Sequence, residues 1–218
     1  MDEPITHLHT NHWVDAVSSL EAAQEYAGRV TSDERQWKWL VIAVHCSVQG
    51  FMALALEHGN GLLVMKEEIT AKWLKAHEAG TAYPDPKMDY FLNLYEKVKS
   101  QDVCCYVGSK SFAATESHDY CMKKLNELRN GFIHFYPQSW SIAFSGLANV
   151  CLRCLDVAEF LAWESQTIIW REQELNDRAM ASMKVTRSTL QAVHEILNSE
   201  ENRGQSKISQ AVCTPAVK

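Results

Sequence analysis

The sequence lacks the excess of positive charge carried by proteins that coat nucleic acid through general attraction. Its 21 lysines and arginines are outnumbered by 27 aspartates and glutamates, which gives a formal net charge of −6. This balance argues against bulk electrostatic binding along a nucleic acid. It remains compatible with a local site that holds one or two phosphates.

Several other features are missing. No uninterrupted apolar run approaches the roughly 18 residues that span a bilayer, and the first twelve residues lack a basic segment followed by an apolar one. The seven cysteines are odd in number and follow no framework spacing. We therefore expect a cytoplasmic protein with reduced thiols. We expect neither a membrane partner nor a secretory signal. Glycine-rich phosphate loops, serine nucleophile elbows and the H-E-x-x-H motif are absent too.

What the chain does contain is helical periodicity. Apolar residues at spacings of three and four predict helices over 12–29, 35–58, 62–79, 87–99, 117–136, 147–164 and 167–198. Thr31 and Glu34 predict a capping box before the second helix, and Ser117 is the expected cap of the fifth. There is no internal repeat and no pair of alternating strands. The predicted fold is an all-α helical bundle, with an N-terminal helix and lead-in over 1–30, a helical domain over 31–198 and a disordered tail over 199–218.

The fifth predicted helix ends in "LRNGFIHFYP". Asn130 and His134 are four residues apart and share a face, whereas Arg129 lies about 140° from His134 around an ideal helix. Arg129 must therefore bend toward His134 or meet the copy in a second subunit. The opposite face carries the expected core stripe of Cys121, Leu125, Leu128, Phe132 and Phe135.

These residue types suit phosphodiester cleavage without a metal. A histidine exchanges protons near neutral pH, and an arginine fork stabilises charge on phosphate oxygens. The nucleophile would be a ribose 2′-hydroxyl, so the substrate would be RNA, and a two-fold dimer would place two copies of each residue in one cleft. The same residues are also typical of a solvated helix end, where the macrodipole favours histidine.

At these residues the sequence resembles the HEPN superfamily, whose all-α domains carry an arginine, four to six residues and then a histidine. Here the motif reads Arg129, Asn130, Gly131, Phe132, Ile133, His134. The wider string "LNELRNGFIHFYPQSWSI" and the apolar helix after it are similar to an uncharacterised bacterial, often plasmid-borne branch of that superfamily. The resemblance extends over about residues 30–165.

The resemblance implies a metal-independent, cofactor-free endoribonuclease that acts as a homodimer, with Arg129 and His134 catalytic and Asn130 supporting them. It also implies a role in toxin–antitoxin, abortive-infection or other defence systems. Tyr136 completes the Arg-x4-His-x-Tyr pattern of HepT-like toxins, whose tyrosine is adenylylated by a nucleotidyltransferase antitoxin. Because some HEPN domains only bind RNA or dimerise, a non-catalytic interaction module is the alternative.

Two further groups of residues stay open at this point. Lys123 and Lys124 are candidate RNA contacts or part of a solvated face. His45 and Gln49, four apart on the second helix, either form a satisfied core pair or border the cleft. A third hypothesis, a metal-dependent hydrolase, would use the N-terminal histidines His7, His9 and His12.

Overall fold

The structure, a computed structural model, describes residues 7–8, 10–134 and 141–212, and every regular element in these ranges is helical. One isolated antiparallel bridge pairs Met65 with Met88. The predicted all-α class is confirmed. The α-helices are α1 (His12–Ala27), α2 (Gln36–Leu56), α3 (Glu67–Ala79), α4 (Phe91–Lys99), α5 (Glu116–His134), α6 (Phe144–Glu159) and α7 (Gln173–Val212).

Helix α2 is the centre of the fold. The spacing of its apolar residues predicts a stripe of Trp37, Val41, Val44, Val48, Phe51 and Ala55. This stripe is buried, and α1, α4, α5 and α6 pack around the helix. Contrary to expectation, α2 is long and apolar enough to cross a membrane by length and composition, with a mean hydropathy of 1.8 over its most apolar window. However, 67% of that window is buried inside the protein. Such burial is typical of a core helix, which needs apolar residues on all sides.

Helices α1 and α2 pack very closely at Gly50. A Cβ atom built on Gly50 would lie 2.7 Å from the Ala16 Cβ atom, closer than two non-bonded carbon atoms can approach. Only glycine therefore fits where the two helices cross. The crossing fixes the position of α2, which carries Gln49 directly before Gly50 and His45 five residues before it.

The segments on either side of α3 are joined by backbone hydrogen bonds. The Lys66 amide donates to the Lys87 carbonyl at 3.1 Å, and the Asp89 amide donates to the Val64 carbonyl at 2.9 Å. This pairing surrounds the Met65–Met88 bridge. It places the start of α4 beside the start of α3 and next to the middle of α2.

Two predicted helix caps are wrong. No capping box forms at Thr31, because α2 starts at Gln36 and Asp33 accepts a hydrogen bond from the Arg35 amide at 3.0 Å instead. At the start of α5 it is Thr115 rather than Ser117 that accepts from a helical amide, that of His118. In both places several Ser, Thr and Asp residues lie close together, and sequence alone does not choose among the side chains that could accept the capping hydrogen bond.

Several helices also differ in extent from their predicted ranges: α4 begins at Phe91 instead of 87, and α7 begins at Gln173 instead of 167. The predicted 62–79 helix is divided into a 3₁₀ turn, Leu62–Val64, and α3. Helix α7 runs on to Val212, past position 199, where the sequence predicts an unordered tail. Residues 199–212 lack an apolar period but also contain no proline, so no strong helix breaker interrupts the backbone. The division of the chain into domains stays a prediction.

Candidate functional site

Arg129 and Asn130 lie in a cleft of about 400 Å³ between α2, α4 and α5. Both side chains are half-buried. Helix α2 contributes His45 and Gln49 to the walls, so of the two alternatives for that pair the structure supports the cleft border. Asn126, one turn before Asn130 on α5, completes the polar part of the lining.

Hydrogen bonds fix the orientation of the two asparagine amides. Arg129 Nη1 donates to Asn130 Oδ1 at 2.9 Å, and His45 Nε2 pairs with Asn126 Oδ1 at 3.3 Å. Both carbonyl oxygens are therefore occupied, while the two Nδ2 groups have no partner in the described part of the chain. Since an amide nitrogen and a guanidinium only donate, Asn126, Asn130 and Arg129 present donors to a ligand. The carboxylate of Asp89 also lines the cleft and is paired with Lys97.

Arg129 keeps unused hydrogen-bonding capacity. Its Nε atom is buried and makes no hydrogen bond to the described residues, nor does Arg129 form an ion pair with any carboxylate among them. A buried guanidinium donor without a partner is costly. The arginine side chain as a whole is only half-buried, and the geometry of its planar guanidinium suits phosphate oxygens.

His45 is buried and stacks on Phe91, with ring centroids 4.0 Å apart and planes inclined by 21°. Burial lowers the pKa of His45 to about 4, and the charge of Arg129 acts in the same direction, against the opposing effect of the hydrogen bond that His45 donates to Asn126. The ring is thus neutral near pH 7. Its Nε2–H donates to Asn126, while Nδ1 has no partner among the described residues. His45 therefore orients Asn126 and is a poor source of protons at neutral pH.

His134 does not line this cleft. It is the last residue of α5 and is exposed, one turn beyond Asn130. Arg129 extends to Asn130 and toward α2, not toward His134. Asn130 is half-buried and lines the cleft together with residues of α4, whereas His134, one turn further along α5, is exposed. One chain thus brings Arg129 and Asn130 together and leaves His134 apart.

The other predicted site residues lie outside the cleft. Lys123 is exposed, and Lys124 Nζ lies 3.6 Å from the Glu127 carboxylate in a half-exposed ion pair. Neither lysine lines the cleft. Tyr136 falls outside the described residues.

The start of α4 supplies residues that sequence reasoning missed. Asp89 is 6% exposed and forms an ion pair of 2.7 Å with Lys97. Burial alone would raise the pKa of its carboxyl, but hydrogen bonds from Lys97, Asn93 and the Tyr90 amide outweigh it and lower the pKa. Asp89 and Tyr90 lie some 40 residues before the motif, within the first turn of the helix predicted over 87–99, whereas α4 begins only at Phe91. Only Asn126 could have been found from local spacing, because it lies four residues before Asn130 and therefore on the same face of α5.

Among the N-terminal histidines, His12 pairs with a carboxylate. His12 Nε2 lies 2.7 Å from Glu57 Oε2 near the surface, and His9 falls outside the described residues. Among the described residues no three His, Cys, Asp or Glu side chains form a group able to hold a metal ion. The metal-hydrolase hypothesis gains no support from this part of the chain.

Comparison with known proteins returns no match to any family model, to any curated protein or to any solved structure. The resemblance to HEPN domains therefore rests on the motif from Arg129 to His134 and on the helices around it. The function has to be inferred from the site itself.

Proposed function

We propose that this protein is a metal-independent endoribonuclease of the HEPN type that acts in the cytoplasm as a homodimer. The observation that carries the proposal is the cleft around Arg129, which presents a guanidinium and two oriented amide donors but no free carboxylate partner for Arg129. In a protein of net charge −6 this is a local site for an anion. A phosphodiester has the acceptor oxygens that such a site requires.

In the proposed reaction the ribose 2′-oxygen attacks the adjacent phosphorus and the bond to the 5′-oxygen breaks. The products are a 2′,3′-cyclic phosphate and a 5′-hydroxyl. Arg129 and the Asn130 amide hold the non-bridging oxygens as negative charge builds up on them. His134 accepts the 2′-hydroxyl proton or donates one to the departing oxygen.

The separation of His134 from the cleft gives the dimer a chemical role. Because one chain does not bring His134 to Arg129, we propose that the partner subunit contributes its copy of His134 to each cleft across a two-fold axis. The biological context proposed with this activity is a toxin–antitoxin or phage-defence system. A nucleotidyltransferase or another antitoxin would then be the protein partner, and Tyr136 its modification site.

The separation of His134 also favours a second candidate function, a HEPN module that binds RNA or a protein partner without cutting. The test is an RNase assay in EDTA with wild type, Arg129→Ala and His134→Ala, with Lys184→Ala, at an exposed position on α7, as the surface control. The nuclease proposal expects cleavage by wild type and Lys184→Ala only. Full activity of His134→Ala would reject it, and RNA binding without any products would establish the second candidate.

A further inference from the structure

The aromatic ring of Tyr90 forms part of the wall between two clefts. One is the Arg129 cleft, and the other, of about 790 Å³, lies between the starts of α3 and α4. Tyr90 lines both and remains 67% exposed. Large exposed aromatic side chains beside clefts are typical sites of contact with flat ligands, because a nucleobase stacks on any aromatic face.

The backbone of Tyr90 is held firmly. Its amide donates to Asp89 Oδ1 at 2.8 Å, and the same carboxylate is fixed by Asn93 at 2.8 Å and by Lys97 at 2.7 Å. Lys97 also donates to the Met65 carbonyl at 2.7 Å. Little further ordering of the backbone is then needed when a ligand binds, which lowers the entropic cost of stacking.

The two clefts differ in the balance of charge along their walls. Asp89 lines both, but among the described residues it is the only carboxylate that lines the Arg129 cleft, whereas the larger cleft also carries Glu67, Glu68 and Glu96. Its lysines are engaged: Lys97 is paired with Asp89, and Lys66 Nζ lies 3.8 Å from the centroid of the Tyr90 ring. Carboxylates repel phosphate but accept hydrogen bonds from amino groups on bases.

We propose that Tyr90 is the stacking residue of a nucleobase subsite. The nucleotide next to the phosphate at Arg129 places its base on Tyr90, and the base edge points into the carboxylate-lined cleft. Adenine, cytosine and guanine have exocyclic amino groups that donate hydrogen bonds to the carboxylates. Uracil has no amino group and would place a carbonyl oxygen near the carboxylates instead. This subsite rests on the proposed function of RNA cleavage and adds a base preference to it.

The experiment measures binding of labelled ten-nucleotide oligomers of A, C or U by fluorescence anisotropy, with His134→Ala as the uncleaving parent. In that background Tyr90→Ala is expected to weaken binding of the A and C oligomers about tenfold. Tyr90→Phe keeps the ring and is expected to retain binding. Tyr120→Ala is the matched control, because Tyr120 is 64% exposed and lines neither cleft.

The base preference is tested separately with Glu68→Gln in the same background. The His134→Ala parent is expected to bind the A and C oligomers more tightly than the U oligomer. Addition of Glu68→Gln is expected to reduce this difference in affinity. Equal binding of the three oligomers, or unchanged binding by Tyr90→Ala while Arg129→Ala loses it, overturns the subsite and leaves the proposed function standing. Absence of both binding and cleavage in wild type overturns the two together.

Discussion

Arg129 Nη1 donates a hydrogen bond to Oδ1 of the neighbouring Asn130, 2.9 Å away. The bond leaves the Asn130 amide group pointing its donors away from Arg129, so the two side chains together offer a wider set of donors than either alone. In the proposed reaction Asn130 acts both on the arginine and on the phosphate.

The first prediction concerns this pair. Asn130→Ala is expected to lower kcat/KM for RNA cleavage about tenfold, the effect of losing one hydrogen bond to a charged group. Asn130→Asp is expected to be worse, because a carboxylate beside Arg129 competes with the phosphate. Cleavage kinetics in EDTA measure both. Asn149→Ala on α6 is the control, and an Asn130→Asp variant as active as wild type would contradict the proposed arrangement.

The second prediction tests the shared site. Arg129→Ala and His134→Ala subunits are each expected to be inactive, yet a heterodimer of the two contains one cleft with an intact Arg129 and the partner's intact His134. Co-expression with two different tags and tandem purification yields this heterodimer. We expect it to recover up to about half of the wild-type activity. If both residues acted within one chain, the heterodimer would stay inactive.

The third prediction follows from His45. Its pKa of about 4 lies below the ordinary value of 6.5, so the unfolded chain binds a proton that the folded chain does not. The free energy of unfolding is therefore expected to fall as the pH drops from 6.5 toward 4, by at most about 1.4 kcal/mol per pH unit from this residue. Urea denaturation at several pH values measures the slope.

His45→Gln removes the titrating ring and is expected to flatten this part of the pH dependence. His77→Gln, at an exposed position on α3, is the control and should leave the slope as in wild type. A His45→Gln variant with the full wild-type slope would show that other groups cause it.

The fourth prediction concerns the crossing of α1 and α2. Gly50→Ala places a Cβ atom 2.7 Å from that of Ala16, and we expect a loss of about 1–3 kcal/mol in the free energy of unfolding. Gly146→Ala is the matched control, since a Cβ there meets no atom within 4 Å. That exchange is expected to be neutral or to stabilise by up to about 1 kcal/mol. Chemical denaturation of both variants tests the contrast, and equal stabilities would contradict it.

The parts of the fold that depend on local periodicity were predictable. The stripe of α2 and the order of the helices follow from spacing alone, as does the pairing of His45 with Gln49 on one face. The site was predictable only in part. Arg129 and Asn130 are marked by the motif, but Asp89 and Tyr90 reach the cleft through backbone pairing around Met65 and Met88. Such contacts between distant segments leave no period in the sequence.

The effect of Arg129 on His45 gives the cleft a thermodynamic coupling between two ligands, an anion and a proton. The positive charge of Arg129 disfavours protonation of His45. An anion bound at Arg129 offsets that charge, so binding of the anion raises the affinity of His45 for a proton. Because such coupling is reciprocal, uptake of a proton strengthens binding of the anion by the same factor. Binding of a phosphodiester in this cleft is therefore expected to strengthen as the pH falls toward about 4, where the buried His45 takes up a proton.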